Sequence, residues 1–82
     1  MLNKNPDDFL EIKQLSFICK YKFNSKLSES TIRNYLYKDI KNKSLKSKYI
    51  NGHHFIMWGD FLNLLNHDYL RLGFSYNPII KK

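Results

Sequence analysis

The stretch Lys48-Tyr49-Ile50-Asn51-Gly52-His53-His54-Phe55-Ile56-Met57 decides the fold. Asn-Gly sits between two β-prone runs, and a two-residue hairpin turn needs positive φ at both central positions, which these two residue types tolerate best. Strands are therefore expected at about 48–50 and 53–57. The short turn also fixes the register: Ile50 lies opposite His53 and Tyr49 opposite His54, so one histidine should point to solvent near the tip.

Downstream, Trp58-Gly59-Asp60 leads into Phe61, Leu62, Leu64, Leu65, Tyr69 and Leu72 at helical spacing, with Arg71 in the last turn and Gly73 closing it. Asp60 falls in the first turn, where the helix dipole favours a carboxylate. Trp58 and the aromatics of this helix read as core, because a small domain needs large side chains to fill its interior. Phe74 to Lys82 forms an apolar and basic tail placed to pack back on that core. Tyr69, Leu70, Phe74, Tyr76, Ile79 and Ile80 are more apolar surface than one helical stripe buries, which points to a protein partner or to self-association through this helix and the tail.

Upstream of the hairpin, Lys41 to Lys48 alternates lysine with Asn, Ser and one Leu and reads as a flexible basic connector. Before it a helix is expected over 29–39, with Ile32, Tyr35 and Leu36 on its buried stripe. Ser28 suits the N-cap, since its hydroxyl accepts from an otherwise orphaned backbone N–H, and Glu29 suits the first turn. Ser30, Arg33, Asn34, Tyr37 and Lys38 fall largely off the stripe. They offer hydroxyls, a guanidinium, an amide and an ammonium, the groups that read base edges or hold phosphates. Earlier still, Asn24-Ser25-Lys26 ends a first helix expected from Lys13 to about Phe23 on the spacing of Leu15, Ile18 and Cys19, with Leu10 and Ile12 as a short extended lead. The expected organisation is a loose lead-in at 1–8, a domain at 9–73 and the tail at 74–82.

The chain has 82 residues, of which 43% are hydrophobic and 16% aromatic, enough for a single folded core but too little for a deep catalytic cleft. Its one cysteine, Cys19, permits no internal disulfide and lies on an apolar stripe, as a small core residue does. With no signal-like opening and no apolar run near the ~20 residues of a membrane span, a cytoplasmic setting without membrane contact is expected. Cys19, His53, His54 and His67 lack the paired spacing of a zinc site, and neighbouring histidines on a strand point to opposite faces. Neither a Gly-rich phosphate loop nor a carboxylate pair in an evident pocket is present. The chain is thus expected to be no enzyme, and to carry no catalytic residue, metal or cofactor.

Charge is concentrated in one stretch. From Lys20 to Lys48, eight lysines and Arg33 stand against Glu29 and Asp39, a surplus equal to the +7 of the whole chain. A field of one sign interleaved with Tyr21, Phe23, Tyr35, Tyr37 and Tyr49 steers an anionic polymer toward that segment, so nucleic acid is the expected partner.

The order helix, turn, helix, basic connector, Asn-Gly hairpin, helix is that of a winged helix-turn-helix domain, mainly α with a small two-stranded wing. Three stretches resemble the excisionase-like and MerR-like DNA-binding proteins: Leu10-Glu11-Ile12-Lys13-Gln14-Leu15, Ser28-Glu29-Ser30-Thr31-Ile32-Arg33-Asn34-Tyr35-Leu36, and Ile56-Met57-Trp58-Gly59-Asp60-Phe61-Leu62-Asn63-Leu64-Leu65. The similarity spans roughly residues 9–66 and looks closest to the small excisionases of conjugative transposons. The resemblance implies a second helix in the major groove of duplex DNA, bringing Ser30, Thr31, Arg33, Asn34, Tyr37 and Lys38 to it, with Arg33 the leading base contact. It implies a wing that lies along the backbone or in the minor groove, where Asn51, Gly52 and His53 would touch phosphate or sugar. Lys41, Lys43, Lys46 and Lys48 would add phosphate contacts from the connector. Lys22-Phe23-Asn24-Ser25-Lys26-Leu27 departs from the family by about six extra residues before Ser28. The implied function is a non-catalytic recombination directionality factor, or a small transcription regulator of a mobile genetic element. A second class of function fits the apolar tail: a small accessory subunit of an element's replication or priming complex, using protein contacts and stacking single-stranded bases on its tyrosines.

Overall fold

A computed structural model describes residues 5–79, in the order β1 (Phe9–Glu11), α1 (Ile12–Phe17), a π-helical turn (Ile18–Lys22), α2 (Glu29–Lys41), β2 (Lys48–Ile50), β3 (His53–Met57) and α3 (Trp58–Asp68). The result is a small mixed α/β fold of three α-helices and one three-stranded antiparallel sheet. Lead-in residues 1–4 and tail residues 80–82, including Ile80, lie outside the described residues.

The hairpin forms where the Asn-Gly pair places it. Asn51 and Gly52 have φ of 51° and 82°, and the pairs Ile50 with His53 and Tyr49 with His54 hold. The sheet is larger than the expected two strands, because β1 adds to the other edge of β3 with Leu10 opposite Ile56 and Glu11 opposite Phe55. Burial explains the third strand. Leu10 and Ile56 share the inner face and are both buried, so the backbone between them needs hydrogen-bond partners that the bare edge of β3 supplies.

The first helix departs from expectation at both ends. It starts at Ile12, where the Gln14 side chain accepts the Glu11 backbone N–H at 3.1 Å, so Ile12 is helical and not part of the extended lead. It then widens into the π-helical turn, with the Phe23 N–H donating to the Ile18 carbonyl at 3.0 Å. Asn24, at φ 61°, ends it. Ser25 and Lys26 fasten this loop to the segment that follows α3. The buried Ser25 hydroxyl donates to the Leu72 carbonyl at 2.6 Å, and the Lys26 N–H donates to the Gly73 carbonyl at 3.0 Å.

Helix α2 runs to Lys41, two residues past the expected end, and closes on Lys43 in the left-handed region at φ 61°. There the Lys43 N–H meets the Ile40 carbonyl at 3.0 Å and the Ser44 N–H meets the Asp39 carbonyl at 2.9 Å, which satisfies carbonyls that the helix end would orphan. Regular α3 ends at Asp68, earlier than the spacing of Tyr69 and Leu72 suggests. Gly73, at φ 91°, still closes the segment through the same pair of bonds, to Leu70 at 3.1 Å and, from Phe74, to Tyr69 at 3.0 Å.

Both flanks of the expected domain are integrated with it. Phe74 is buried and meets Phe23 edge-on at 6.4 Å, and Ile79 packs against the same core. Residues 6–8 are anchored too. The Trp58 N–H donates to the Asp8 carbonyl at 2.7 Å and the Gly59 N–H to the Pro6 carbonyl at 2.9 Å, so residues expected to be loose cap the start of α3. The core itself joins Ile12, Leu15, Ile32, Leu36, Ile56, Phe61, Leu65 and Leu72, all fully buried. Trp58 belongs to it, packed on Phe61 at 5.6 Å.

One charge pair sets α2 against the end of α3. Asp39 sits on the buried stripe with its side chain 10% exposed, and Arg71 Nη2 meets it at 2.8 Å while also reaching Asp68 at 3.3 Å. Burial opposes the charged guanidinium, yet the hydrogen bonds and charges of Asp39 and Asp68 outweigh it and raise the Arg71 pKa. Arg71 also lies over the Tyr35 ring at 5.2 Å. Removing the arginine leaves Asp39 without its counter-charge. Arg71→Ala is expected to lose about 2 kcal/mol in urea unfolding, less than a fully buried pair because the guanidinium is partly solvated. Burial also pushes the Cys19 thiol up to about 12. The thiolate is the reactive form. The native protein at pH 8 is therefore expected to resist a disulfide-exchange reagent such as Ellman's, and to react at a normal rate only once unfolded in denaturant.

Candidate nucleic-acid interface

Ser28 is the N-cap of α2, its hydroxyl accepting the Thr31 N–H at 3.2 Å, and this places the following side chains around a regular helix. Ile32, Leu36 and Asp39 face inward. Ser30, Asn34, Tyr37, Lys38 and Lys41 are exposed, at spacings of three and four residues that form one continuous crest. Thr31 lies half-buried beside it, its hydroxyl 2.8 Å from that of Ser28, and the Ser30 hydroxyl joins the same cluster at 3.2 Å.

Arg33 sits apart from the crest. At roughly 100° per residue it lies a quarter turn from Ile32, on a flank with Glu29 and beside Tyr37 at the edge of the crest. It is half-buried, and its Nε is shielded from solvent without a hydrogen-bond partner among the described residues.

That flank adjoins the hairpin. The Tyr37 ring meets the His54 ring edge-on at 5.8 Å, and Tyr49 meets the other side of His54 at 4.7 Å. Ser47 Oγ lies 3.4 Å from His54 Nδ1. Residues from α2, the connector, β2 and β3 therefore make a single surface, with Tyr49 at 67% exposure as its outermost aromatic. His54 is the member that sequence reasoning left out of the site. Its signal was present in the hairpin register, which pairs it with Tyr49, but its contact with Tyr37 depends on how α2 packs.

The basic residues separate into groups. Lys38 and Lys41 lie on the crest of α2, and Lys43 and Lys46 are exposed on the connector that leaves it. Lys48 pairs across from Phe55 on the other face of the sheet, where its ammonium stands 4.3 Å over the Phe9 ring. At the tip, Asn51 and Gly52 are exposed. His53 is exposed as well, but its Nδ1 is held by Glu11 Oε2 at 2.8 Å, which orients the ring along the outer face.

The connector and α3 also enclose an open cleft of about 390 Å³, whose polar wall includes Lys46, Asp60, His67 and Asp68. It carries both signs of charge. Among the described residues, no helix is long and apolar enough to cross a membrane, and no group of three or more His, Cys, Asp or Glu is placed to hold a metal ion.

No family model matches the chain, and neither does any curated protein or solved structure.

The Tyr37–His54 contact is the link between helix and hairpin, and it is measurable. A double-mutant cycle of Tyr37→Ala and His54→Ala is expected to give a coupling of about 0.5–1 kcal/mol in unfolding free energy. Additive losses would show that the two elements do not support each other.

Proposed function

We propose that this protein is a non-catalytic duplex-DNA-binding module of the winged helix-turn-helix type, with α2 as the recognition helix and the β2–β3 hairpin as the wing. The observation that carries the reading is the continuous surface from the α2 crest, with Lys38 and Lys41 on it, through Tyr37 and His54 to Tyr49, while Lys43 and Lys46 are exposed on the connector that leaves the helix. A rod of helical width with polar side chains on its crest suits a major groove about 12 Å wide. The lysines beside it supply phosphate contacts that position the protein without choosing sequence. β1 supports the wing reading, because a hairpin paired on its inner strand is held at a fixed angle to α2.

The role that fits such a module is architectural: an excisionase-like directionality factor, or a small regulator of a mobile element, acting in the cytoplasm. DNA bending by backbone contacts needs only a few base contacts to be selective, which suits a crest of five side chains. Leu70 and Tyr76, at 68% and 70% exposure, favour a second reading for the segment that follows α3. They offer an apolar contact to a protein partner or a second copy, as an accessory subunit of a replication complex would require.

Fluorescence anisotropy on a 20-bp duplex and on each of its single strands tests the proposal. The duplex is expected to bind more tightly, with log affinity falling against log salt at a slope of roughly −3 or steeper, since each phosphate contact contributes about −0.9. Lys41→Ala with Lys43→Ala should reduce that slope by about 2. Preference for single strands, or affinity indifferent to salt, would overturn the duplex reading.

A further inference from the structure

Arg33 is the one cation on α2 that lies off the crest. Its Nε is sealed from solvent and meets no acceptor, and among the described residues no carboxylate stands within ion-pair distance of it. Glu29, one turn earlier on the same flank, is half-buried and makes no such pair. A partly desolvated guanidinium without a counter-charge is unfavourable, so an arriving anion gains more here than at a fully hydrated lysine. The shielding also restricts what the group can reach. With Nε held against the protein, the terminal Nη atoms are left to meet a ligand, and their fork matches two oxygens of one phosphate.

Reading a guanine requires that same fork to extend toward the floor of a groove about 8.5 Å deep. Arg33 starts from a flank, with its Nε buried, while Ser30, Asn34 and Lys41 stand on the crest above it. Asn34 is exposed there, and its amide carries the donor and acceptor that pair with an adenine edge. We propose that Arg33 clamps a backbone phosphate on the hairpin side of α2, and that base recognition falls to Asn34. The assignment rests on the duplex reading above. It inverts the role that the resemblance to excisionases implies for Arg33.

The test compares wild type, Arg33→Ala, Arg33→Lys and Asn34→Ala by anisotropy across a salt series. Two labelled duplexes serve as probes, one of mixed sequence and one enriched from a random pool by the wild-type protein. Arg33→Ala is expected to weaken both by a similar factor, on the order of tenfold for one charge-assisted contact, and to reduce the salt slope by about 0.9. Arg33→Lys should recover the slope and part of the affinity. Asn34→Ala should narrow the ratio between the two duplexes. Arg33→Gln keeps the aliphatic stem and serves the same comparison if Arg33→Ala lowers the melting temperature. Loss confined to the enriched duplex with an unchanged slope would overturn the phosphate assignment and leave the duplex reading standing. A pool from which nothing is enriched overturns the Asn34 half. Wild type that binds neither duplex overturns the duplex reading itself, and the assignment with it.

Discussion

β3 is hydrogen-bonded along both edges, and the alternation of its side chains follows from that pairing. Ile56 goes inward, opposite Leu10, to meet the helices, and His54 goes inward nearer the tip, where the core has thinned and α2 offers Tyr37. His53, Phe55 and Met57 are committed to the other face. A slip of one residue in either ladder would turn Ile56 out and break the aromatic contact together, so the register of a five-residue strand holds both the core and the surface beside α2.

Helix α2 is gripped from two sides. Its stripe is buried through Ile32 and Leu36, while Asp39 at the far end answers to Arg71, a residue beyond the last regular turn of α3. A charge pair adds direction to a packing surface that apolar contacts alone would let slide. The helix that presents the crest is thereby held in azimuth as well as in position, and Lys41 and Lys43 leave it at a defined point. Such fixing suits the proposed groove-reading surface, since contacts misplaced by an ångström lose most of their value.

Much of this was readable from the residues, for local reasons. Asn51-Gly52 set the turn and hence the register, and Ser28 marked the start of α2, because both signals act within four residues. Gly73 marked its turn for the same reason, although regular helix stops before it. What escaped is non-local. Phe9–Glu11 is too short to show an alternating pattern, and only the edge of β3 makes it a strand. Asp39 and Arg71 are 32 residues apart, and no spacing rule couples them. The crest of α2 was legible from helical periodicity, but the half-burial of Arg33 depends on tertiary packing and the seat of His54 on how the hairpin docks. The proposed nucleic-acid surface was thus legible as a list of residues and not as an arrangement.

The capping of α3 by Pro6 and Asp8 has a bearing on how the molecule comes into being. The first two amide groups of that helix are satisfied by carbonyls some fifty residues earlier, and a Cβ on Gly59 would stand only 3.2 Å from Pro6. During vectorial synthesis Pro6 and Asp8 thus wait for Trp58 and Gly59 to leave the ribosome before they find their partners. β1 waits likewise for the strand it joins. Helices α1 and α2 can form from local contacts, but the strand and cap at 6–11 find their partners only once residues 55–59 have been made, so closure of the fold depends on contacts of long sequence separation.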